Sequence, residues 1–237
     1  MKLLVLDGNS ILNRAFYGIR MLTSSKGVPT NALFGFFNIY LKEAAQVQPD
    51  GVAVAFDLRS PTFRHKAVAS YKANRKGMPE ELAQQLAPVK ELLRGMGITV
   101  LEAEGFETDD ILGTLARICT EHGEECVILT GDRDSLQLVG EHVRVDLATN
   151  KETIPYTEAR FREEYGFAPV QLIDLKALMG DSSDNIKGVP GIGPKTATGL
   201  IQTYGTIEEL YAHLDEAGLT KGAYAKPVSY THLTLPT

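Results

Sequence analysis

Short apolar runs alternate with longer stretches of helical pattern along the first 150 residues. The apolar runs are KLLVLD, GVAVAFD, ITVLEA, CVILTGDRD and VRVDL. Helix-like stretches such as ALFGFFNIYLKEAAQ, PEELAQQLAPVKELLRGMG and DDILGTLARICTEHG lie between them. Strand–helix alternation favours parallel pairing, and runs that are apolar throughout suit strands buried on both faces. We therefore expect an α/β fold, with a mostly parallel central sheet and helices on both faces.

Three of these runs end in aspartate. Asp7 ends the first, Asp57 ends the second, and Asp132 and Asp134 end the fourth. Ligands of open α/β sheets bind outside the carboxyl ends of the strands, so we expect these carboxylates to share one edge of the sheet. The alternative for any single aspartate is a turn or a helix N-cap.

The stretch GFETDD adds three more acids, Glu107, Asp109 and Asp110. In a first helical turn Glu107 and Asp110 share a face, and the helix dipole favours their charge by about 0.3–1 kcal/mol. That gain is too small to offset packing beside four more aspartates, whereas divalent cations would offset it. Carboxylates are hard ligands that suit Mg²⁺ or Mn²⁺, and the sequence has no His/Cys cluster of the kind zinc prefers.

A third acidic cluster, in MGDSSDNIKG, contains Asp181 and Asp184, for which a solvated loop is the alternative. The candidate metal ligands are then Asp7, Asp57, Glu107, Asp109, Asp110, Asp132, Asp134, Asp181 and Asp184. Nine acids exceed what one magnesium ion needs. Sites with two metal ions catalyse phosphoryl displacement in nucleases and phosphatases, so we expect two ions or more.

The remaining charge is mildly basic. The formal net charge is -6, but without the nine acids 21 of 30 Asp and Glu remain against 24 Lys and Arg, which leaves +3. Residues 58–79 hold six bases and no acid: Arg59, Arg64, Lys66, Lys72, Arg75 and Lys76. Such a stretch suits phosphate contacts, and Phe63 and Tyr71 could stack on bases. The alternatives are a solvated basic helix and, for Phe63, core packing.

From about residue 157 the pattern becomes helical, and we expect no strand beyond residue 155. Within this part, GVPGIGPKTA places Gly191 and Gly193 in a tight turn before Pro194, Lys195 and Thr196. The free N–H groups of such a helix start can hold a phosphate, although a plain helix hairpin is the alternative.

The sequence also predicts the cellular location of the protein and the origin of its last residues. The chain has no apolar run near the roughly 18 residues of a membrane span, and its start is too short for a secretory signal. Cys119 and Cys126 have no CxxC spacing and are expected to be reduced core thiols, so we expect a cytoplasmic protein with no membrane partner. VSYTHLTLPT, residues 228–237, resembles a translated sequencing adapter and is expected to be a non-native tail.

Together these motifs resemble the 5′-nuclease family, which includes the amino-terminal 5′→3′ exonuclease domain of bacterial DNA polymerase I and the flap endonucleases. LDGNS, AFD, GFETDD, LTGDRDSLQL and GDSSDNIKGVPGIGPKTA occur in the family's order, over residues 1 to about 215. The resemblance implies a PIN-like or resolvase-like catalytic domain over residues 1–168, with a helical arch at about 62–88. It also implies a helix–hairpin–helix DNA-binding domain over residues 169–227.

The resemblance further implies roles for individual residues. One Mg²⁺ ion would be held by Asp7, Asp57, Glu107 and Asp109, and the other by Asp132, Asp134, Asp181 and Asp184, with Asp110 supporting either. Asp109 and Asp132 would be catalytic through their metals, and Lys72 and Arg75 would neutralise the scissile phosphate. The expected DNA contacts are Arg14, Arg64, Tyr71, Lys72, Arg75, Gly191, Gly193, Lys195 and Thr196.

The implied activity is hydrolysis of DNA at a 5′ flap, nick or 5′ end by a monomer. Mn²⁺ would substitute for Mg²⁺, and K⁺ is expected at the helix–hairpin–helix turn. The chain resembles a fragment, so we expect a carboxy-terminal polymerase domain to be missing. The alternatives are a related ribonuclease of PIN-like fold, a DNA-binding module without catalysis, and a small-molecule phosphatase. Asn9 disfavours the last, because aspartyl-phosphate enzymes carry a second Asp at that position.

Overall fold

The computed structural model describes residues 1–214, which form two compact units. The first unit comprises Met1–Thr62 and Lys76–Thr157. The second unit comprises Phe63–Arg75 and the described residues from Glu158 onward. The end of the predicted DNA-binding domain and the predicted non-native tail, residues 228–237, lie outside the described residues.

The first unit is built on a six-stranded sheet with strand order β3-β2-β1-β4-β5-β6. Its strands are β1 Lys2–Asp7, β2 Gly51–Ala55, β3 Thr99–Leu101, β4 Glu125–Thr130, β5 Val143–Ala148 and β6 Thr153–Tyr156. The first five strands pair in parallel, and β6 is antiparallel to β5. The predicted α/β class with a mostly parallel sheet is confirmed.

Four α-helices of the first unit cover the sheet. They are α1 Gly8–Gly18, α2 Asn31–Val47, α4 Glu80–Gly95 and α5 Thr108–Glu121, and a 3₁₀ helix follows at Arg133–Leu138. One core cluster joins Leu4 and Leu6 of β1 to Phe36 of α2 and Leu82 of α4, all fully buried. Helix α5 packs against β1, β2, β4 and β5. Cys119 and Cys126 are both buried and not in a disulfide.

The register of the central strands places the residues that follow them at one edge of the sheet. Asp7 at the end of β1 pairs with Ala55 at the end of β2, and Leu6 pairs with Leu129 of β4. The residues immediately after β2 and β4 therefore emerge beside the carboxyl end of β1.

The second unit is mainly helical. Its helices are α3 Phe63–Ala67, α6 Glu158–Tyr165, α7 Leu172–Met179, α8 Pro194–Tyr204 and α9 Ile207–Ala212, with a 3₁₀ turn at Pro169–Gln171. Among the described residues, no helix is both long and apolar enough to cross a bilayer.

The expectation of no strand beyond residue 155 is wrong. Strand β7 (Gly180–Asp181) pairs with β8 (Ile186–Lys187) in a short antiparallel ladder. Two glycines permit this approach, since a Cβ at Gly180 would lie 2.2 Å from the Gly188 nitrogen and one at Gly188 would lie 2.2 Å from the Met179 carbonyl carbon. A two-residue strand shows no periodicity, so the sequence carried no signal for it.

Candidate functional site

Asp7 is a buried carboxylate at the carboxyl end of β1, with 5% of its surface exposed. Its Oδ1 accepts the N–H of Ser10 (2.9 Å) at the start of α1, and its Oδ2 accepts the hydroxyl of Thr130 (2.8 Å). Burial raises the pKa of Asp7 to about 6, and the charges of Asp57 and Asp132 add to the rise. Asp57 and Asp132, which follow two other strands, are therefore close enough to repel Asp7.

Thr130, the last residue of β4, connects Asp7 to Asp132. The threonine is fully buried, and its Oγ1 donates to Asp7 and accepts the N–H of Asp132 (3.0 Å). The exposed Asp132 in turn accepts the N–H of Asp134 (2.9 Å) and caps the 3₁₀ helix. This hydroxyl fixes the spacing between a buried acid and an exposed one.

Asp57, two residues beyond β2, holds the start of α5. Its Oδ1 accepts both the N–H (2.7 Å) and the hydroxyl (2.9 Å) of Thr108. Its own N–H donates to the side-chain oxygen of Asn9 (3.0 Å). The start of α5 is thereby tied to the end of β2, which brings the GFETDD acids to the same edge of the sheet.

The three acids of GFETDD occupy three different environments. Glu107 immediately precedes α5 and is 6% exposed, and its Oε1 accepts the hydroxyl of Thr62 at 3.4 Å. Asp110 accepts the N–H of Glu107 (2.8 Å) and so caps its own helix. Asp109 lies exposed on the first turn. Glu107 and Asp110 form the capping box of α5, so the acids of this stretch combine a helix cap with the exposed carboxylate of Asp109.

These seven acids of the first unit, which we call the strand-end acids, offer the oxygen donors that Mg²⁺ prefers. They are Asp7, Asp57, Glu107, Asp109, Asp110, Asp132 and Asp134. Over residues 1–214, no group of three or more His, Cys, Asp or Glu side chains is arranged so that it could hold a metal ion. The donor chemistry nevertheless fits a hard cation, because Asp57 and Asp132 repel Asp7 and a cation would neutralise that charge.

Asp181, at the end of β7, belongs to the second unit. Its Oδ2 accepts Lys176 Nζ (2.8 Å), and its Oδ1 accepts the N–H of Ser183 (2.8 Å). Partial burial acts to raise the pKa of Asp181, but the Lys176 and Ser183 hydrogen bonds and the Lys176 charge outweigh it and hold that pKa well below its ordinary value. Asp181 is therefore a fully charged carboxylate with a lysine partner.

Asp184 joins the acidic cluster of the second unit to the basic stretch. Arg75 forms a salt bridge with its Oδ1, and the Tyr71 hydroxyl donates to its Oδ2 (3.3 Å). The backbone carbonyl of Asp184 accepts the N–H of Lys72 (2.9 Å). Asp184, a predicted metal ligand, thus contacts Tyr71 and Arg75, which are predicted DNA contacts more than 100 positions away in the sequence.

The side chains of the basic stretch differ in their accessibility. Tyr71 is 4% exposed, with the His65 ring at its edge (5.1 Å between centroids) and Lys72 Nζ 4.9 Å from its centroid. Arg64 is 6% exposed, and its guanidinium lies over the Phe63 ring. Arg75 is about half exposed. The roles predicted for these residues in DNA binding stay predictions. The guanidinium group of Arg75 is more accessible to solvent than that of Arg64.

The other predicted DNA contacts lie in both units. Gly191 has φ +87°, as a tight turn requires, and Gly193 precedes Pro194, the first residue of α8. Lys195 and Thr196 are exposed on the first turn of α8. In the first unit, Arg14 Nη1 donates to Asn150 (2.9 Å), while its Nε is buried with no hydrogen-bond partner among the described residues.

Several residues of the site were missed by the sequence analysis. Ser10, Thr108 and Thr130 hold the carboxylates of Asp7 and Asp57, and Lys176 pairs with Asp181. The three hydroxyl residues stand close to predicted acids in the sequence, and Ser10 has N-cap spacing from Asp7. For Lys176, nothing in the local pattern distinguishes it from a surface lysine.

The structure combines a mostly parallel α/β sheet, which has hydrogen-bonded carboxylates at its strand ends, with a helical unit. The N-terminal resolvase-like domain of the 5′-3′ exonucleases matches residues 2–166, and their C-terminal SAM fold matches residues 167–229. The chain belongs to this 5′-3′ exonuclease family.

Curated relatives agree with this assignment. The chain is 46% identical over 217 residues to DNA polymerase I of Bacillus caldotenax, covering 91% of this chain and 25% of that protein. It is 41% identical over 245 residues to the thermostable DNA polymerase I of Thermus thermophilus, covering 99% of this chain and 29% of the relative. The chain thus spans about a quarter of the length of these relatives.

A solved structure shares the fold. The flap endonuclease of bacteriophage T5, in a pseudo-enzyme-product complex with DNA and metal ions, superposes with a TM-score of 0.72. The two chains are 21% identical, and the match covers 90% of this chain and 79% of the phage protein.

Proposed function

We propose that this chain is a structure-specific nuclease that hydrolyses DNA phosphodiesters near a 5′ end, as a 5′→3′ exonuclease and 5′-flap endonuclease. The products would carry a 5′-phosphate and a 3′-hydroxyl. The observation that carries the proposal is Asp7, a buried carboxylate at the end of β1 that the Thr130 hydroxyl links to the exposed Asp132. A protein rarely gathers uncompensated charge in this way unless a ligand neutralises it.

The ligand that we propose is a pair of divalent ions, Mg²⁺ or, in its place, Mn²⁺. Asp7, Asp57, Glu107 and Asp109 would hold one ion, and Asp132, Asp134, Asp181 and Asp184 the other, with Asp110 supporting either. When bound, such ions stabilise the charge that develops on a phosphate under attack. The T5 flap endonuclease, which shares the fold, was solved with DNA and metal ions, and this supports a metal-dependent reaction.

The chain's own residues would position the substrate. Lys72 and the half-exposed Arg75 would neutralise the scissile phosphate. Arg14 would contact the DNA strand near the end of β4. Lys195 and Thr196, on the first turn of α8, would bind duplex backbone together with the N–H groups of the Gly191–Gly193 turn. A K⁺ ion at this turn is part of the same proposal.

We also propose that the whole protein carries a polymerase domain, because the relatives are DNA polymerases about four times as long as the matched region. This nuclease would then act in DNA replication and repair, as a monomer in the cytoplasm. Its substrate would be DNA with a 5′ flap, a nick or a free 5′ end.

The test is cleavage of a 5′-labelled flap duplex in Mg²⁺, with and without chelator. Asp132→Asn keeps the shape of the side chain and an oxygen that can accept the Asp134 N–H, so the fold is preserved. We expect it to lower the cleavage rate at least ~10²-fold, because charge stabilisation at the phosphate is lost.

The matched control for this variant is Asp50→Asn. Asp50 precedes β2 at the opposite edge of the sheet, where its Oδ2 accepts the N–H of Lys2 (2.7 Å). We expect this variant to cleave within about twofold of the parent, as surface changes away from a site usually do. Cleavage that survives chelation, or equal losses in both variants, would count against the proposal. Tight flap binding with no product would point to a binding module, and preference for RNA to a ribonuclease.

A further inference from the structure

Two asparagines join the basic stretch to the acidic loop of the second unit by reciprocal hydrogen bonds. Asn74 Nδ2 donates to the carbonyl of Ser182 (2.9 Å), and Asn185 Nδ2 donates to the carbonyl of Ser70 (2.8 Å). Each amide therefore satisfies a backbone oxygen of the opposite segment. We call this pair the asparagine clasp, which joins residues 70–75 to residues 181–185.

The backbone inside the clasp is in an unusual conformation. Lys72 has φ +53° and Asn185 has φ +58°, two of the three non-glycine residues with positive φ among the described residues. Asparagine tolerates this left-handed region, but for lysine it is uncommon. Such strain persists where the surroundings hold it in place, and here the Lys72 N–H donates to the Asp184 carbonyl (2.9 Å) between the two asparagine contacts.

The two segments joined by the asparagine clasp carry charged side chains. Lys72 and Arg75 belong to residues 70–75, and Asp184, whose carboxylate pairs with Arg75, belongs to residues 181–185. Asn74 and Asn185 are both exposed, so neither is required to fill a core. Their amides carry no net charge, and each uses its nitrogen to bond the backbone of the opposite segment. What they contribute is a fixed separation between the two segments.

We propose that Asn74 and Asn185 are positioning residues that hold Lys72 and Arg75 at a fixed distance from Asp184 during DNA cleavage. This inference rests on the proposed nuclease function, because positioning has a consequence only where these charges act on a phosphate. A misplacement of about 1 Å can cost about 10²-fold in rate.

The test uses the full chain and three variants. Asn74→Ala removes one amide, and Asn185→Gly removes the other while keeping the left-handed conformation accessible. The matched control is Gln48→Gly. Gln48, in the first unit, also has a left-handed backbone (φ +52°) and an amide that donates to a carbonyl, that of Ala45 (2.8 Å).

Two readouts separate positioning from binding and from folding. In both asparagine variants we expect the Lys72 amide hydrogen to exchange about tenfold faster, because the contacts that protect it have been weakened. We expect kcat for flap cleavage to fall about tenfold while KM stays within about threefold. The double variant should lose little more than either single variant, since the two bonds act as one unit. Gln48→Gly should change neither readout.

The outcomes distinguish this inference from the proposed function. If the parent protein cleaves DNA and the asparagine variants match Gln48→Gly in kcat, the positioning role is refuted. If KM rises and kcat does not fall, the asparagines act in binding and the inference is equally wrong. If the parent itself does not cleave, the proposed function fails, and unchanged exchange at Lys72 would then show that the clasp does not hold this backbone.

Discussion

A buried acid pair in the first unit leads to a prediction about stability. Glu43 of α2 and Asp146 of β5 are 3% and 2% exposed. Arg144 donates from Nε and Nη2 to the two oxygens of Asp146, each at 2.8 Å, so this arginine is already committed to Asp146. Burial, followed by the hydrogen bond and the charge of Asp146, raises the pKa of Glu43 to about 8, against weaker opposition from Arg144 and Lys42.

The direction of the pH effect follows from proton linkage. The ordinary pKa of the glutamate is 4.5, so between pH 4.5 and 8 the folded protein retains a proton that the unfolded chain has released. The free energy of unfolding therefore falls as pH rises through this window, by at most about 1.4 kcal/mol per pH unit. Raising the pH from 5.5 to 7.5 should remove on the order of 2 kcal/mol. Replacing the acid by glutamine, which resembles the protonated form, should abolish this loss.

The assay is urea denaturation of the parent, Glu43→Gln and Glu91→Gln between pH 5.5 and 8.5. Glu91 is an exposed glutamate of α4 and serves as the control. We expect Glu43→Gln to match the parent near pH 5.5 and to exceed its stability at pH 7.5. Asp7 adds a slope of the same sign to all three proteins, so the comparison isolates Glu43. If Glu43→Gln follows the pH dependence of the other two proteins, Glu43 is not protonated in the folded state and the reasoning fails.

Two further predictions concern single contacts. Gly180→Ala should lower the stability of the second unit by at least about 1–3 kcal/mol in thermal unfolding, because a Cβ at this φ of +74° would lie 2.2 Å from the Gly188 nitrogen. Gly199→Ala in α8, where a Cβ meets nothing within 4 Å, should instead stabilise by about 0.5–1 kcal/mol, and equal effects would refute the argument. Thr130→Val should cost about 1–3 kcal/mol in denaturation, because Asp7 and the Asp132 N–H lose their shared hydroxyl. Thr114→Val loses only an exposed hydrogen bond to the backbone carbonyl of Asp110 and should cost less than about 0.5 kcal/mol. A similar loss of stability in the two threonine variants would contradict a bridging role for Thr130.

The sequence was most informative where periodicity and strand order determine position. The apolar runs predicted the five parallel strands, and the rule that ligands lie at carboxyl ends predicted that four aspartates would share one edge of the sheet: Asp7, Asp57, Asp132 and Asp134. In the structure the Thr130 hydroxyl joins Asp7 to the N–H of Asp132 at that edge. The antiparallel β6 and the β7–β8 ladder were not predicted, because short strands at an edge or around a loop have no repeating pattern.

The sequence was less informative about how each polar group is used. GFETDD suggested three metal ligands, with Asp110 supporting either ion, but Asp110 accepts the backbone N–H of Glu107 and so caps α5. Tyr71 suggested a surface ring for base stacking, but it is a buried ring that donates to Asp184. The Tyr71 contact joins residues 113 positions apart, and one sequence without its fold gives no distance between them.

The division of the chain into units has a consequence for synthesis on the ribosome. The backbone leaves the first unit at Thr62, returns at Lys76 and leaves again at Thr157, so neither unit is one contiguous segment. The partners of the asparagine clasp are 108 and 115 positions apart in the sequence. At about 5–20 residues translated per second, residues 70–75 wait roughly 5–20 s before the carbonyl and amide groups that hold them have been made. During that interval residues 70–75 lack the two contacts of the asparagine clasp, and a cut at residue 157 would separate these residues from the rest of their own unit.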